Sequence, residues 1–167
     1  MFKPLHAISA AFLLLLAIWP YSAQADQPFQ RFLPLLVDLA GWEGKKADGM
    51  SMQMGDASMT TATRDYGHGP AQLNISIIIG PMAEGSLASI QSGMKLQTSE
   101  GHMITDTIRG MPVMKTFNIK DKSGALMVAL AKNAMFSFGY KGISEDEALQ
   151  LADKFDWKAM QAAATAK

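Results

Sequence analysis

The sequence predicts an α+β fold in which a mainly antiparallel sheet packs with N-terminal, middle and C-terminal helices. Three observations predict it. Apolar and polar residues alternate over several runs in the middle of the chain, the period of strands with one buried face. The links between those runs are a few residues long, too short for the crossover that parallel neighbours need. At both ends of the domain and once in its middle the apolar spacing changes to i, i+3, i+4, the period of a helix with one buried stripe.

Residues 1–25 stand apart from that fold. Lys3 gives a short basic start, residues 7–19 form an uncharged apolar run shorter than the about 20 residues of a membrane-spanning helix, and Pro20 ends it. Ala23 and Ala25 put small residues where a signal peptidase reads, so a secretory signal peptide cleaved before Asp26 is expected. That predicts a periplasmic protein with no transmembrane anchor after cleavage. Residues 26–167 are expected to form a single globular α+β domain, large enough to bury a core without cross-links.

Within that domain Leu33, Leu36, Val37 and Ala40 fall at helical spacing, with Pro34 tolerated in the first turn and Gly41 as a stop. A polar connection follows, in which Trp42 is expected to pack back on the core. Residues 59–66 and the alternating Leu73, Ile75, Ile77 and Ile79 read as a hairpin about the turn residues 67–70. Pro81 opens a helix with Leu87, Ile90 and Met94 on one stripe. Residues 96–109 read as a strand interrupted at Glu100 and Gly101, with Ile104 and Ile108 pointing the same way. Strands over 113–119, 125–132 and 135–140 come next, the first two joined by the Asp, Ser and Gly of residues 120–124. A single helix closes the chain. Ser144 and Glu147 match a capping box, Glu145 and Asp146 suit a positive helix start, and Ala148, Leu151, Ala152, Phe155 and Ala159 make the buried stripe. The Ala-rich tail from Gln161 is expected to fray.

The segments 39–42 (Leu-Ala-Gly-Trp), 61–66 (Thr-Ala-Thr-Arg-Asp-Tyr), 110–113 (Gly-Met-Pro-Val) and the ending from Ser144 through Phe155-Asp156-Trp157 resemble small exported bacterial proteins of uncharacterised function. The order helix, hairpin, helix, several strands, helix is similar to the PsbP-like α/β/α sandwich. That resemblance implies binding or assembly rather than one reaction, and it carries over no site residues.

Composition narrows the chemistry. Fifteen Lys and Arg balance fifteen Asp and Glu, so no basic excess points to nucleic acid. The absence of cysteine excludes disulfides, thiolate metal sites and cysteine nucleophiles. His68 and His102 are the only histidines after residue 25, and neither lies in a nucleophile motif. GxSxG, HExxH and GxxxxGK[ST] are absent, as is GxGxxG followed by a helix. The expectation is therefore a non-enzymatic binding module.

Thirteen methionines are the unusual feature, and three of them alternate in Met50-Ser51-Met52-Gln53-Met54, with Met59 close behind. Thioether sulfur is a soft, uncharged ligand suited to Cu(I), and it survives where thiols oxidise to disulfides. In an extended chain Met50, Met52 and Met54 share one face, their Cα atoms nearly 7 Å apart at about 3.3 Å per residue. Gly49 and Gly55 are expected to let the backbone curl so that these sulfurs converge, with Met59, His68 or His102 completing a copper(I) or silver(I) site. The two histidines sit beside glycines in expected turns. The alternative is that this segment forms an adaptable apolar surface for a periplasmic protein partner. The remaining methionines fall where packing suffices.

Overall fold

The computed structural model describes residues 27–166. The expected signal peptide lies outside the described residues. Among those described, no helix is long and apolar enough to cross a membrane.

The chain opens with a 3-10 helix, Gln30–Leu35. Strands β1 (Glu43–Gly44), β2 (Asp48–Met54), β3 (Ala57–His68) and β4 (Ala71–Ile79) follow, then α1 (Pro81–Gln91). Five more strands come next: β5 (Lys95–Thr98), β6 (Gly101–Ile108), β7 (Met111–Asn118), β8 (Ser123–Ala131) and β9 (Ala134–Lys141). Helices α2 (Glu145–Ala152) and α3 (Trp157–Thr165) end the chain. All nine strands form one antiparallel sheet in the order β1-β3-β4-β9-β8-β7-β6-β5, with β2 beside β1 along the edge of β3.

Alternation along each strand gives the sheet two different faces. On the first, Ala62, Leu73, Ile75, Ile77, Val113, Leu126, Val128, Phe136 and Phe138 pack against the 3-10 helix, α2 and α3. On the second, Ile78, Met103, Met114, Met127, Ala129 and Met135 pack against Ala83, Leu87 and Ile90 of α1. The expected α+β class with a mainly antiparallel sheet is what forms.

Four expectations about elements need correction. The N-terminal helix is a short 3-10 turn and not an α-helix, because Pro34 has no N–H to give to Gln30 and Leu36 leaves the helix at ψ 74°. Residues 96–109 are two strands paired back on each other as β5 and β6, not one interrupted strand. The C-terminal helix is broken into α2 and α3. Ser144 caps α2 by accepting from the Glu147 N–H at 3.2 Å, and Asp156 caps α3 by accepting from the Ala159 N–H at 2.9 Å. The tail does not fray at Gln161, since its side-chain amide donates to the Leu130 carbonyl at 2.7 Å and α3 runs on to Thr165.

Arg64 and Arg109 tie the irregular segments to the sheet. Arg64 donates to the carbonyls of Leu36 at 2.7 Å and Lys45 at 2.8 Å, pairs with Asp38, and lies 5.0 Å over the Tyr66 ring. Arg109 donates to the carbonyls of Asp153 and Phe155, pairs with the Asp153 carboxylate and covers Trp157 at 4.7 Å.

Candidate functional site

The Met-rich segment is the turn and both arms of a hairpin. Met54 and Ala57 pair, which leaves Gly55 and Asp56 as a two-residue connection, and Gly55 at φ +60° fits the first central position of a type II′ turn. From there the register runs without interruption: Met52 opposite Met59, Met50 opposite Thr61, Asp48 opposite Thr63.

Two contacts on the first face fix the direction of the side chains. The Phe29 ring lies against the Cα of Gly49, where a Cβ would collide with it, and the Ser51 hydroxyl meets that of Thr60 at 3.2 Å. Met50, Met52, Met54 and Met59 consequently all stand on the second face. Met50, Met52 and Met54 are 48%, 41% and 71% exposed, so they plug no gap in the core, and Met59 is half-buried. Gly80 places the start of α1 against the backbone of Ser58 and Met59, at a φ of +113° that a side chain would not tolerate. The chain thus holds two populations of methionine on this face. Met103, Met114, Met127 and Met135 pack around α1, while the hairpin set faces outward.

The convergence differs in kind from the one expected of the sequence. The chain passes Gly49 as straight strand, and sulfurs meet across the ladder instead of along a curl. Directly opposed residues have Cβ atoms about 4.5–5.5 Å apart, closer than the nearly 7 Å between Met50 and Met52 along β2.

His68 and His102 do not join this group. His68 is nine residues along β3 from Met59, about 30 Å at 3.3 Å per residue, and faces the other way. Its Nδ1 sits 2.6 Å from the Gly41 carbonyl and its ring 5.5 Å from Trp42. Trp42 itself is half-buried and packs against the main core, as its place beside the first helical segment suggested. His102 is within β6, five strands from β3, about 24 Å at 4.8 Å per strand, and faces α2. Its Nε2 lies 3.0 Å from Glu145, which Lys115 also approaches at 4.0 Å. Both histidines pin loops and helices to the sheet. Among the described residues no group of three or more His, Asp or Glu side chains is placed to hold a metal ion.

Sequence reasoning missed two open clefts. One, of about 760 Å³, lies over the polar half of the second face between Lys45, Asp65, Asn74, Gln72 and Lys141. There the Asn74 side-chain amide donates to Asp65 at 2.7 Å and Lys45 approaches at 3.3 Å, and together they hold the Asp65 carboxyl below its ordinary range. The other, also about 760 Å³, lies between Trp42, His68, Leu149, Leu151 and Trp157. The Trp157 indole N–H is buried with no hydrogen-bond partner among the described residues. Burial pushes the Tyr66 hydroxyl up to about 12, and Tyr140 is raised by burial and the nearby Glu145. Residues so far apart in sequence carry no common period that would have marked either cleft.

Comparison with protein-family models, with curated proteins and with solved structures finds no match.

Proposed function

We propose that this chain is an exported, non-enzymatic binding module that takes a soft monovalent cation, Cu(I) or Ag(I), on the thioethers of its β2–β3 hairpin. The observation that carries the reading is the placing of Met52 opposite Met59, with Met50 and Met54 one step to either side on the same exposed face. Methionine sulfur is two bonds beyond Cβ on an unbranched chain, so neighbouring side chains bend toward a common ion without backbone strain. Thioethers stay uncharged at any pH and are not lost to disulfides, which fits the export expected of residues 1–25. Exposure favours weak, exchangeable binding, as in a protein that passes an ion on. The layering of one sheet between α1 and the pair α2 and α3 supports a sandwich of the PsbP-like kind.

The test is competition against a chromophoric Cu(I) chelator under anaerobic conditions, with the wild type beside a variant carrying Met50→Leu, Met52→Leu and Met54→Leu. The wild type should withdraw copper and the variant should not. Equal withdrawal removes the site.

A second reading is an apolar contact surface for a protein partner. It is favoured by the outer edge of β2, which among the described residues bonds no other backbone segment. Here the leucine variant should still bind its partner and Met52→Glu should not.

A further inference from the structure

We infer that the metal-loaded form is a two-fold dimer in which the outer edge of β2 pairs antiparallel with the same edge of a second copy, and that one ion sits on the axis between Met50 and Met52 of both copies. The inference rests on the thioether reading of this face and adds to it the partner and the stoichiometry: Met50 and Met52 of both copies bind the ion, while Met59, opposite Met52, and Met54 flank it.

The edge is built to pair. β2 runs seven residues in unbroken register, with no Pro, no Lys and no bulge, the devices that usually keep edges apart. Asp48 is its single charge. The Gly49 N–H turns to the Asp48 carboxylate at 2.8 Å and not into the β3 ladder, which marks residues 49, 51 and 53 as those whose backbone groups face outward. Without residues 1–25, which hold Lys3 and no acid, fourteen basic side chains face fifteen acidic ones, a net charge of only −1, so two copies meet with little long-range repulsion.

The strand is close to symmetric about Ser51, with Met50 and Met52 on either side. A two-fold axis through Ser51, normal to the sheet, sets Met50 of each copy opposite Met52 of the other and keeps the two Asp48 side chains apart. It also leaves every methionine on the second face. Because the outward-facing backbone belongs to residues 49, 51 and 53, the Met50 and Met52 pairs are of the non-hydrogen-bonded kind, in which Cα atoms are about 4.5 Å apart and side chains are closest. The four methionines then occupy the corners of a rectangle about 4.5 by 6.6 Å, its centre about 4 Å from each corner. Four soft ligands around one point suit a tetrahedral Cu(I) or Ag(I). In one chain alone, the third sulfur must come from two residues along the strand.

Affinity between the copies depends on the ion. Two seven-residue edges touch over about 23 Å of length and about 10 Å of sheet thickness, well short of the about 800 Å² per partner of a stable interface. The metal-free chain is therefore monomeric.

The experiment is a titration of the metal-free protein with Ag(I), read by native mass spectrometry and sedimentation velocity. The expected result is a monomer that converts to a dimer holding one Ag(I) per two chains. Ser51→Pro, which removes an outward N–H at the centre of the edge and no backbone bond to β3, should abolish the dimer and weaken Ag(I) retention at least tenfold, while Ser51→Ala, which loses only the hydroxyl contact with Thr60, should keep both. One Ag(I) bound per monomer without dimerisation overturns the inference and leaves the thioether site standing. No Ag(I) binding overturns both. A wild-type dimer that forms equally without Ag(I), or one that a folded Ser51→Pro protein still forms, overturns the ion-closed edge.

Discussion

Met52 faces Met59 directly across the β2–β3 ladder, and the pair stands on the same sheet face as the four methionines that pack around α1 but apart from them. A ladder sets that spacing and side-chain flexibility does the rest, so the four hairpin residues should contribute unequally. Met52→Leu, which removes a sulfur with neighbours on both sides, should weaken Ag(I) binding at least tenfold. Met54→Leu, at the turn and 71% exposed, should weaken it less. Neither should change the urea midpoint by more than about 0.5 kcal/mol equivalent, since both are exposed and keep their volume. Isothermal titration beside urea denaturation checks both halves.

The histidines should separate binding from stability. His68→Ala and His102→Ala should leave Ag(I) affinity within twofold of the wild type, because neither ring approaches the hairpin. His102→Ala should lower stability by about 1 kcal/mol, since it takes a partner from Glu145, whose Oε1 is already buried with no hydrogen bond among the described residues.

Arg64 should be costly to lose. It satisfies the carbonyls of Leu36 and Lys45 and has a largely buried guanidinium, so Arg64→Ala leaves acceptors without a donor. A loss of about 2–3 kcal/mol is expected, from charge-assisted bonds of about 1.5–3 kcal/mol each that water partly replaces. Chemical denaturation measures it, and Arg64→Lys should recover only part, having no fork to span both carbonyls.

Stability should fall at alkaline pH through Tyr66. Burial raises its folded pKa to about 12 from 10.0, and its hydroxyl donates to the Val37 carbonyl at 2.6 Å. A group whose folded pKa is raised contributes fully below the unfolded value and loses that contribution as pH climbs toward the folded one. Denaturation midpoints should therefore hold below pH 10 and decline between 10 and about 12. Tyr66→Phe should flatten the part of that decline due to this group.

Much of this architecture is legible in the residues. The alternation of Leu73, Ile75 and Ile77 is the first face of β4, Pro81 does open α1, and Ser144 does cap α2. β2 is not legible as a strand, because its apolar face points to solvent and its other face holds Gly49, Ser51 and Gln53. Pairing with β3 makes it a strand, and propensity does not. The break between α2 and α3 has a steric reason. Phe155 and Trp157 are both buried, yet on one continuous helix they would point about 200° apart. The chain resolves this by restarting at Asp156. For the site, the sequence could show which sulfurs share a face but not that Met59 lies opposite Met52, nor that the histidines are committed to Gly41 and Glu145. Those depend on strand register and on a helix packed across the sheet.

The most direct measurement is a methyl-selective NMR titration of the protein, labelled at the methionine ε-carbons, with Ag(I). The hairpin account predicts that the signals of Met50, Met52 and Met59 move first and furthest and that Met54 follows. Those of Met103, Met114, Met127 and Met135 should stay in place. Unmoved hairpin methyls at saturating Ag(I), or movement confined to the methionines around α1, would contradict it.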